Sequence, residues 1–313
     1  MAARRRLFDV AVRRRISSRR GRRIGWSGRG AESVQFDDRG IGVFDSGIGG
    51  LTVVRELRRK IPSESIVYFG DTARVPYGIK SPQAVTAFSR QICDFLLRFN
   101  PKLIVVACNT ASAAALPALL GRYELPLLGV VEPGAAAAVR AADGRPIAVI
   151  ATEATVNSDA YRAEIVRRAA GATVHQKACP LFVPAVEEGR DADNPIVAQL
   201  AEEYLGPLRC LGLGAVVLGC THYPLIKPAI RRALGGDVTL VDSAEQTAAE
   251  VAAELARRGA LSGRPAPGKL SCYVSDNPQR FREVGQRFLG HPIVDVTWVS
   301  LDELVGAASS VPS

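Results

Sequence analysis

Two cysteines share the same local surroundings about a hundred residues apart: Val105-Val106-Ala107-Cys108-Asn109-Thr110 and Val217-Leu218-Gly219-Cys220-Thr221-His222. In each, a short apolar run ends at a small residue, then a cysteine, then hydroxyl- or amide-bearing residues able to cap a helix, which reads as strand, turn and helix start. At the C-terminal edge of a strand in an α/β sheet, the next helix directs free N–H groups and partial positive charge at whatever sits there. The expectation is a thiol that ionises more readily than a free one, in the crevice where such sheets bind ligands. A lone cysteine is usually packing. Two in one frame argue for one site with two thiols.

Facing thiols across a cleft suit inversion of a stereocentre. One thiolate removes a proton from one face of a carbon, a thiol returns one to the other face, and exchanging roles reverses the direction. A free thiol titrates near ~8.5, so modest tuning leaves one of each near neutrality. The Cα proton of an amino acid is much less acidic than a thiol. Such a site must therefore stabilise a carbanion-like transition state, and helix N-termini with Asn and Thr donors supply part of that. None of Lys60, Lys80, Lys102, Lys177, Lys227 or Lys269 follows a strand end beside these motifs, so no Schiff-base cofactor, and no cofactor at all, is expected. Cys108, Cys220 and His222 could supply the three protein ligands of a catalytic zinc. The spacings of a structural zinc site are absent, and no metal is expected.

The elements that must position these residues alternate between strand and helix. Order is expected from Ile41, a strand running into the Gly-rich turn Asp45-Ser46-Gly47-Ile48-Gly49-Gly50 and a helix over Leu51 to Lys60. The turn permits close backbone approach to an anion but lacks the order of the dinucleotide fingerprint, so a dinucleotide site is not expected. Ile66 to Gly70 reads as a strand delivering Asp71 to the same edge as Asp45. A loop with Val75-Pro76-Tyr77-Gly78 follows, then a helix capped by Ser81 with Pro82 in its first turn. Leu103 to Ala107 is the strand before Cys108, Ala111 to Leu120 a helix, Leu127 to Val131 a strand, and Ala135 to Ala142 a helix after Glu132-Pro133-Gly134.

A second α/β unit opens at Pro146 to Ala151, with a helix over Asn157 to Ala170, a strand near Thr173 to Ala178, the segment Phe182 to Gly189, and a helix over Pro195 to Gly206. Gly214 to Gly219 is the strand before Cys220, and Val238 to Val241 another, followed by a helix over Ala244 to Arg258. Asp242-Ser243 echoes Asp45-Ser46 and reads as a sign of related lobes. A strand over Ser271 to Val274, a helix over Pro278 to Phe288 and a strand over Ile293 to Val296 are expected to fold back on the first lobe. The expected fold class is α/β: two pseudo-symmetric three-layer lobes with mainly parallel sheets and the active site in the interlobe cleft. Residues 40–135 with about 245–313 form lobe one, and 136–244 form lobe two.

With 313 residues, 47% hydrophobic and 6% aromatic, the chain suits one or two globular α/β units with an Ala/Val/Leu core. No apolar stretch is long enough to span a bilayer and no signal-peptide core follows the basic N-terminus, so a cytoplasmic location is expected. Six cysteines without CxxC pairs suit a reducing compartment and free thiols. The formal net charge of +9 is local, since residues 1–39 hold twelve Arg against four acids and leave the rest near +1. That segment reads as a disordered Arg-rich extension, either a phosphate-binding arm or an artefact of too early a start codon with true initiation near Val34. Cys93, Cys210 and Cys272 read as core, and Cys179, His175 and His291 as structural.

From Ile41 onward the chain resembles the cofactor-independent aspartate/glutamate racemase superfamily, and within it the bacterial glutamate racemases. The resemblance is carried by Phe44-Asp45-Ser46-Gly47-Ile48-Gly49-Gly50-Leu51, Gly70-Asp71-Thr72, Pro76-Tyr77-Gly78, Ala107-Cys108-Asn109-Thr110-Ala111-Ser112, Phe182-Val183-Pro184 and Gly219-Cys220-Thr221-His222-Tyr223-Pro224. It implies interconversion of L- and D-glutamate for peptidoglycan, with Cys108 and Cys220 as proton donor and acceptor. Asp45 and His222 would assist them, and Asp71 and Glu187 are further candidates for tuning the site. The implied substrate-binding residues are Asp45, Ser46, Tyr77, Gly78, Asn109, Thr110, Thr221 and His222. The resemblance also raises a homodimer and contact with DNA gyrase. Rival readings are an aspartate racemase, which the Pro76-Tyr77-Gly78 loop argues against, and a cysteine hydrolase using Cys220 with His222, marked by an acyl-enzyme.

Overall fold

The structure, a computed structural model, describes residues 36–309. In chain order the elements are β1 (Ile41–Asp45), α1 (Leu51–Lys60), β2 (Ile66–Gly70), α2 (Pro82–Leu97), β3 (Leu103–Val106), α3 (Asn109–Ala114), α4 (Leu116–Leu119), β4 (Leu127–Gly129) and α5 (Val131–Ala142). Then come β5 (Ile147–Ala151), α6 (Glu153–Asn157), α7 (Ala160–Arg168), β6 (Val174–Ala178), α8 (Phe182–Glu187), α9 (Pro195–Leu205), β7 (Ala215–Gly219), α10 (Lys227–Leu234), β8 (Thr239–Asp242) and α11 (Ser243–Arg257). The chain ends with β9 (Leu270–Val274), α12 (Pro278–Leu289), β10 (Val296–Trp298) and α13 (Leu301–Ser309).

Two sheets result, one ordered β10-β9-β2-β1-β3-β4 and the other β6-β5-β7-β8. Every strand pair in both is parallel. Parallel strands are covered by helices on both faces and so favour continuous apolar runs. Leu103–Val106, Ile147–Ala151 and Ala215–Gly219 are accordingly buried at every position. The series β2-β1-β3-β4 has the same order as β6-β5-β7-β8, which pairs β1 with β5, β2 with β6, β3 with β7 and β4 with β8.

That correspondence corrects the reading of Asp242-Ser243 as the echo of Asp45-Ser46. Asp45 ends the central strand β1, whereas Asp242 ends β8, the counterpart of the edge strand β4. It also gives Cys179 a counterpart, Asp71, because each follows the strand beside the central one.

Several boundaries differ from expectation for local reasons. The helix expected over Ala111 to Leu120 is two, α3 and α4, with Pro117 in the first turn of the second. An interior proline would remove one hydrogen bond and clash with the preceding turn. Glu132-Pro133-Gly134, expected ahead of a helix, lies inside α5, because proline is tolerated in a first turn. The expected Asn157–Ala170 helix is α7 alone, preceded by the separate short α6 that Thr152 caps, its hydroxyl accepting from Thr155 N. The last strand is Val296–Trp298 rather than 293–296, its register set by pairing with Cys272–Val274. Residues 36–39, expected within the disordered extension, are held instead: Asp37 N donates to Leu261 O at 3.2 Å and Lys102 Nζ to Asp37 O at 2.6 Å. The rest of that extension, residues 1–35, lies outside the described residues. Cys210, expected in the core, is exposed in the 3-10 turn Gly206–Leu211, whose buried side chain is Leu208.

Candidate active site

Both cysteine motifs arrive at one cavity of about 320 Å³. β3 delivers Cys108 and β7 delivers Cys220, the two corresponding strands of the two sheets, and each thiol is 6% exposed. The cavity takes Ser46, Tyr77, Gly78, Cys108, Asn109 and Thr110 from one sheet's loops. From the other it takes Thr152, Glu187, Cys220, Thr221 and His222. Val75, Ile79, Val183 and Pro184 add apolar wall.

Cys108 occupies the N-cap position of α3, where its sulfur accepts from Ala111 N at 3.5 Å. The sequence led us to expect a thiol eased toward its anion. Burial instead pushes it up to about 12, helped by the neighbouring Asp45 carboxylate and opposed by the Ala111 N–H and by Ser46. Desolvation outweighs the helix N-terminus. Asp45, also fully buried, is raised by burial, against the pull of His222 and the Gly47 and Gly50 N–H groups. Its Oδ2 accepts from Gly47 N at 3.0 Å, while Oδ1 has no protein partner.

On the Cys220 side a chain of three groups forms. Cys220 Sγ lies 3.8 Å from His222 Nδ1, and His222 Nε2 lies 2.9 Å from Glu187 Oε1. Burial drives the imidazole toward its neutral form, but hydrogen bonds to Cys220 and Glu187 outweigh it and lift the pKa to about 10. Burial likewise works against the Glu187 carboxylate, yet His222 and Arg280 hold it below its usual range. The Phe288 ring packs edge-on against His222 with centroids 5.0 Å apart. His222 thus carries its own proton at neutral pH, beside the sulfur.

Asp71 lies beneath the cavity wall and does not line it. Its carboxylate accepts from Tyr77 OH, from Arg74 Nε at 2.7 Å and from Ser275 Oγ at 2.9 Å. These bonds fix the loop that presents Tyr77 and Gly78 to the cavity. Asn109 Oδ1 accepts from Tyr161 OH at 2.7 Å, which leaves Asn109 Nδ2 buried with no protein partner. A buried orphan donor and a buried orphan acceptor, Asn109 Nδ2 and Asp45 Oδ1, are costly unless a ligand satisfies them.

Every residue implied by the resemblance reaches the cavity or its supports, with Asp45 and Asp71 set behind the lining. Sequence reasoning missed Thr152, Thr155 and Tyr161. Thr110, Thr152 and Thr155 hydroxyls lie within 3.0–3.2 Å of one another. Thr152 had a signal, a capping threonine at the end of the strand equivalent to β1. Tyr161, in the first turn of α7, had none. Among the described residues no group of three or more His, Cys, Asp and Glu could hold a metal ion.

Corresponding strands of two parallel sheets, each bringing one thiol to a single cavity, define a two-lobed, two-thiol α/β protein. Residues 49–251 match the Asp/Glu/Hydantoin racemase family, and the chain belongs to it. It is 50% identical over 264 residues to the glutamate racemase of Geobacter metallireducens, covering 84% of this chain and 97% of that protein. It is 45% identical to that of Syntrophus aciditrophicus, covering 83% and 96%. The glutamate racemase of Francisella tularensis, solved in complex with D-glutamate, superposes with a TM-score of 0.79 at 39% identity, covering 85% of this chain and 99% of that one.

Proposed function

We propose that this chain interconverts L- and D-glutamate by two-base proton transfer at Cα, supplying D-glutamate for peptidoglycan. The observation that carries the reading is the arrival of Cys108 and Cys220 at one cavity from corresponding strands. One sulfur, as thiolate, takes the Cα proton and becomes a thiol. The other gives its proton to the opposite face and is left as thiolate, so the reverse reaction starts from the state the forward one leaves.

His222, protonated and held by Glu187, assists Cys220, and Asp45 assists Cys108 from behind the cavity lining. Ser46, Tyr77, Gly78, Asn109, Thr110 and Thr221 bind the substrate, with Asn109 Nδ2 as a carboxylate donor. Asp71 keeps the Tyr77–Gly78 loop in place. Bringing charged substrate groups into the cavity beside Asn109 also changes the field at Cys108, which burial holds toward the thiol. We further propose lobes of 40–135 with about 245–313 and 136–244, a cytoplasmic homodimer, and contact with DNA gyrase.

The Glu187–His222–Cys220 chain favours a second reading, a cysteine hydrolase. A second thiol in the same cavity has no task in that chemistry, and an acyl-enzyme would reveal it by mass. The deciding experiment is NMR of the protein with L-glutamate in D₂O. Wild type is expected to exchange the Cα proton and form D-glutamate without added cofactor, and both Cys108→Ser and Cys220→Ser to lose turnover. No exchange in wild type, or full turnover in either variant, would overturn the assignment.

A further inference from the structure

The turn that carries Cys220 and His222 is held from the opposite sheet. Thr52, fully buried in the first turn of α1, has its hydroxyl 2.9 Å from the Gly49 carbonyl and 3.1 Å from the Thr221 carbonyl. The hydroxyl proton is shared between a local acceptor and one 169 residues away. Beside it the two turns touch without room for a side chain: a Cβ on Gly49 would stand 2.1 Å from Thr221 Oγ1 and 2.7 Å from His222 Nδ1. The stretch leading into this turn also carries Asp45 and Ser46, which face Cys108. One segment therefore contacts both thiol sites.

We infer that Thr52 is a positioning residue for Cys220. It touches no reacting atom. By holding the Thr221 carbonyl it fixes the turn bearing the second thiol relative to the Cys108 side, and so sets how the two sulfurs bracket the substrate. The inference rests on the two-thiol reading. In that chemistry the carbon must sit between both sulfurs at once, and a displacement of about 1 Å can cost about 10²-fold in rate.

The test uses Thr52→Val, which removes the hydroxyl at nearly constant volume, and Thr52→Ser, which keeps it. Two readouts are taken on the full chain: the iodoacetamide alkylation rates of Cys108 and Cys220 resolved by peptide mass, and kcat and KM for both glutamate enantiomers. For Thr52→Val the Cys220 alkylation rate should change about threefold or more relative to Cys108, and kcat should fall about tenfold with KM little altered. Thr52→Ser should restore both. Equal changes at the two thiols, no change at either, or a Ser variant that behaves like Val would overturn the inference. Should Thr52→Val fail to fold, Thr52→Ala removes the same hydroxyl and is read the same way. Alkylation needs no turnover. An inactive wild type would sink the racemase reading, while the alkylation ratio alone decides the role of Thr52.

Discussion

The charge state of His222 depends strongly on folding. Its ordinary pKa of 6.5 is lifted to about 10, so the folded protein binds a proton that the unfolded chain releases above neutrality. The resulting stabilisation is complete below pH 6.5 and is lost as pH rises through 10. Urea unfolding at a series of pH values is expected to show stability declining across that window, and His222→Gln should remove that part of the slope. Parallel pH profiles for the two proteins would refute the assignment. The identity of His222 as a site residue was legible from its place two residues after Cys220; its proton was not, because Glu187 is 35 residues away in sequence. Cys108 teaches the converse. The helix start beside it is visible in the sequence and argues for a thiolate, but burial next to Asp45, which no local pattern reveals, reverses the direction.

Elements were legible where a hydrophobic run ended at a clear signal. Ser81 with Pro82 opens α2 as expected, the serine oxygen accepting from Ala84 N at 3.2 Å. Boundaries failed where the signal depended on position within a turn, as with Pro117 dividing α3 from α4 and Pro133 admitted to the start of α5. The short helix α13, packed through buried Leu304, went unread because its second half is rich in Gly, Ala and Ser. Strand β7 shows how closely an element's seating is specified. A Cβ added at Gly214, just ahead of it, would lie 2.4 Å from the Ala142 carbonyl oxygen and 2.7 Å from Ala142 Cα at the end of α5. These are backbone atoms and cannot rotate away. Gly214→Ala is therefore expected to cost about 1–3 kcal/mol in chemical unfolding, and because β7 leads to Cys220, to lower turnover as well. An unchanged unfolding midpoint would show that α5 and β7 can part at little cost.

Across the whole molecule, the return of the C-terminal segment to the first sheet was expected, but its partner strand and register, such as Val67 with Ser271 in β2 and β9, were not legible in the sequence. The base of the six-stranded sheet depends on another such long-range association. Lys102, 1% exposed in its side chain, meets Glu64 Oε2 at 2.6 Å and donates to the carbonyls of Asp37 at 2.6 Å and Ala260 at 2.7 Å. Glu64 Oε1 in turn accepts from Ser262 N at 2.8 Å. Three segments distant in sequence thus converge on one buried ammonium, two as hydrogen-bond acceptors and Glu64 as its counter-charge. A charge so deep is tolerated only while its partners remain, and removing one leaves the other buried and uncompensated. Glu64→Leu or Lys102→Met alone is expected to destabilise the protein by about 3–5 kcal/mol, whereas the double variant should recover much of that loss because no lone charge remains. Chemical unfolding of the four proteins in a double-mutant cycle measures this directly. Strictly additive losses would mean that Lys102 acts through the two carbonyls it caps rather than through Glu64. The site lies at the opposite end of β1 and β3 from Asp45 and Cys108, so the two single variants should lose stability well before they lose the ability to bind substrate.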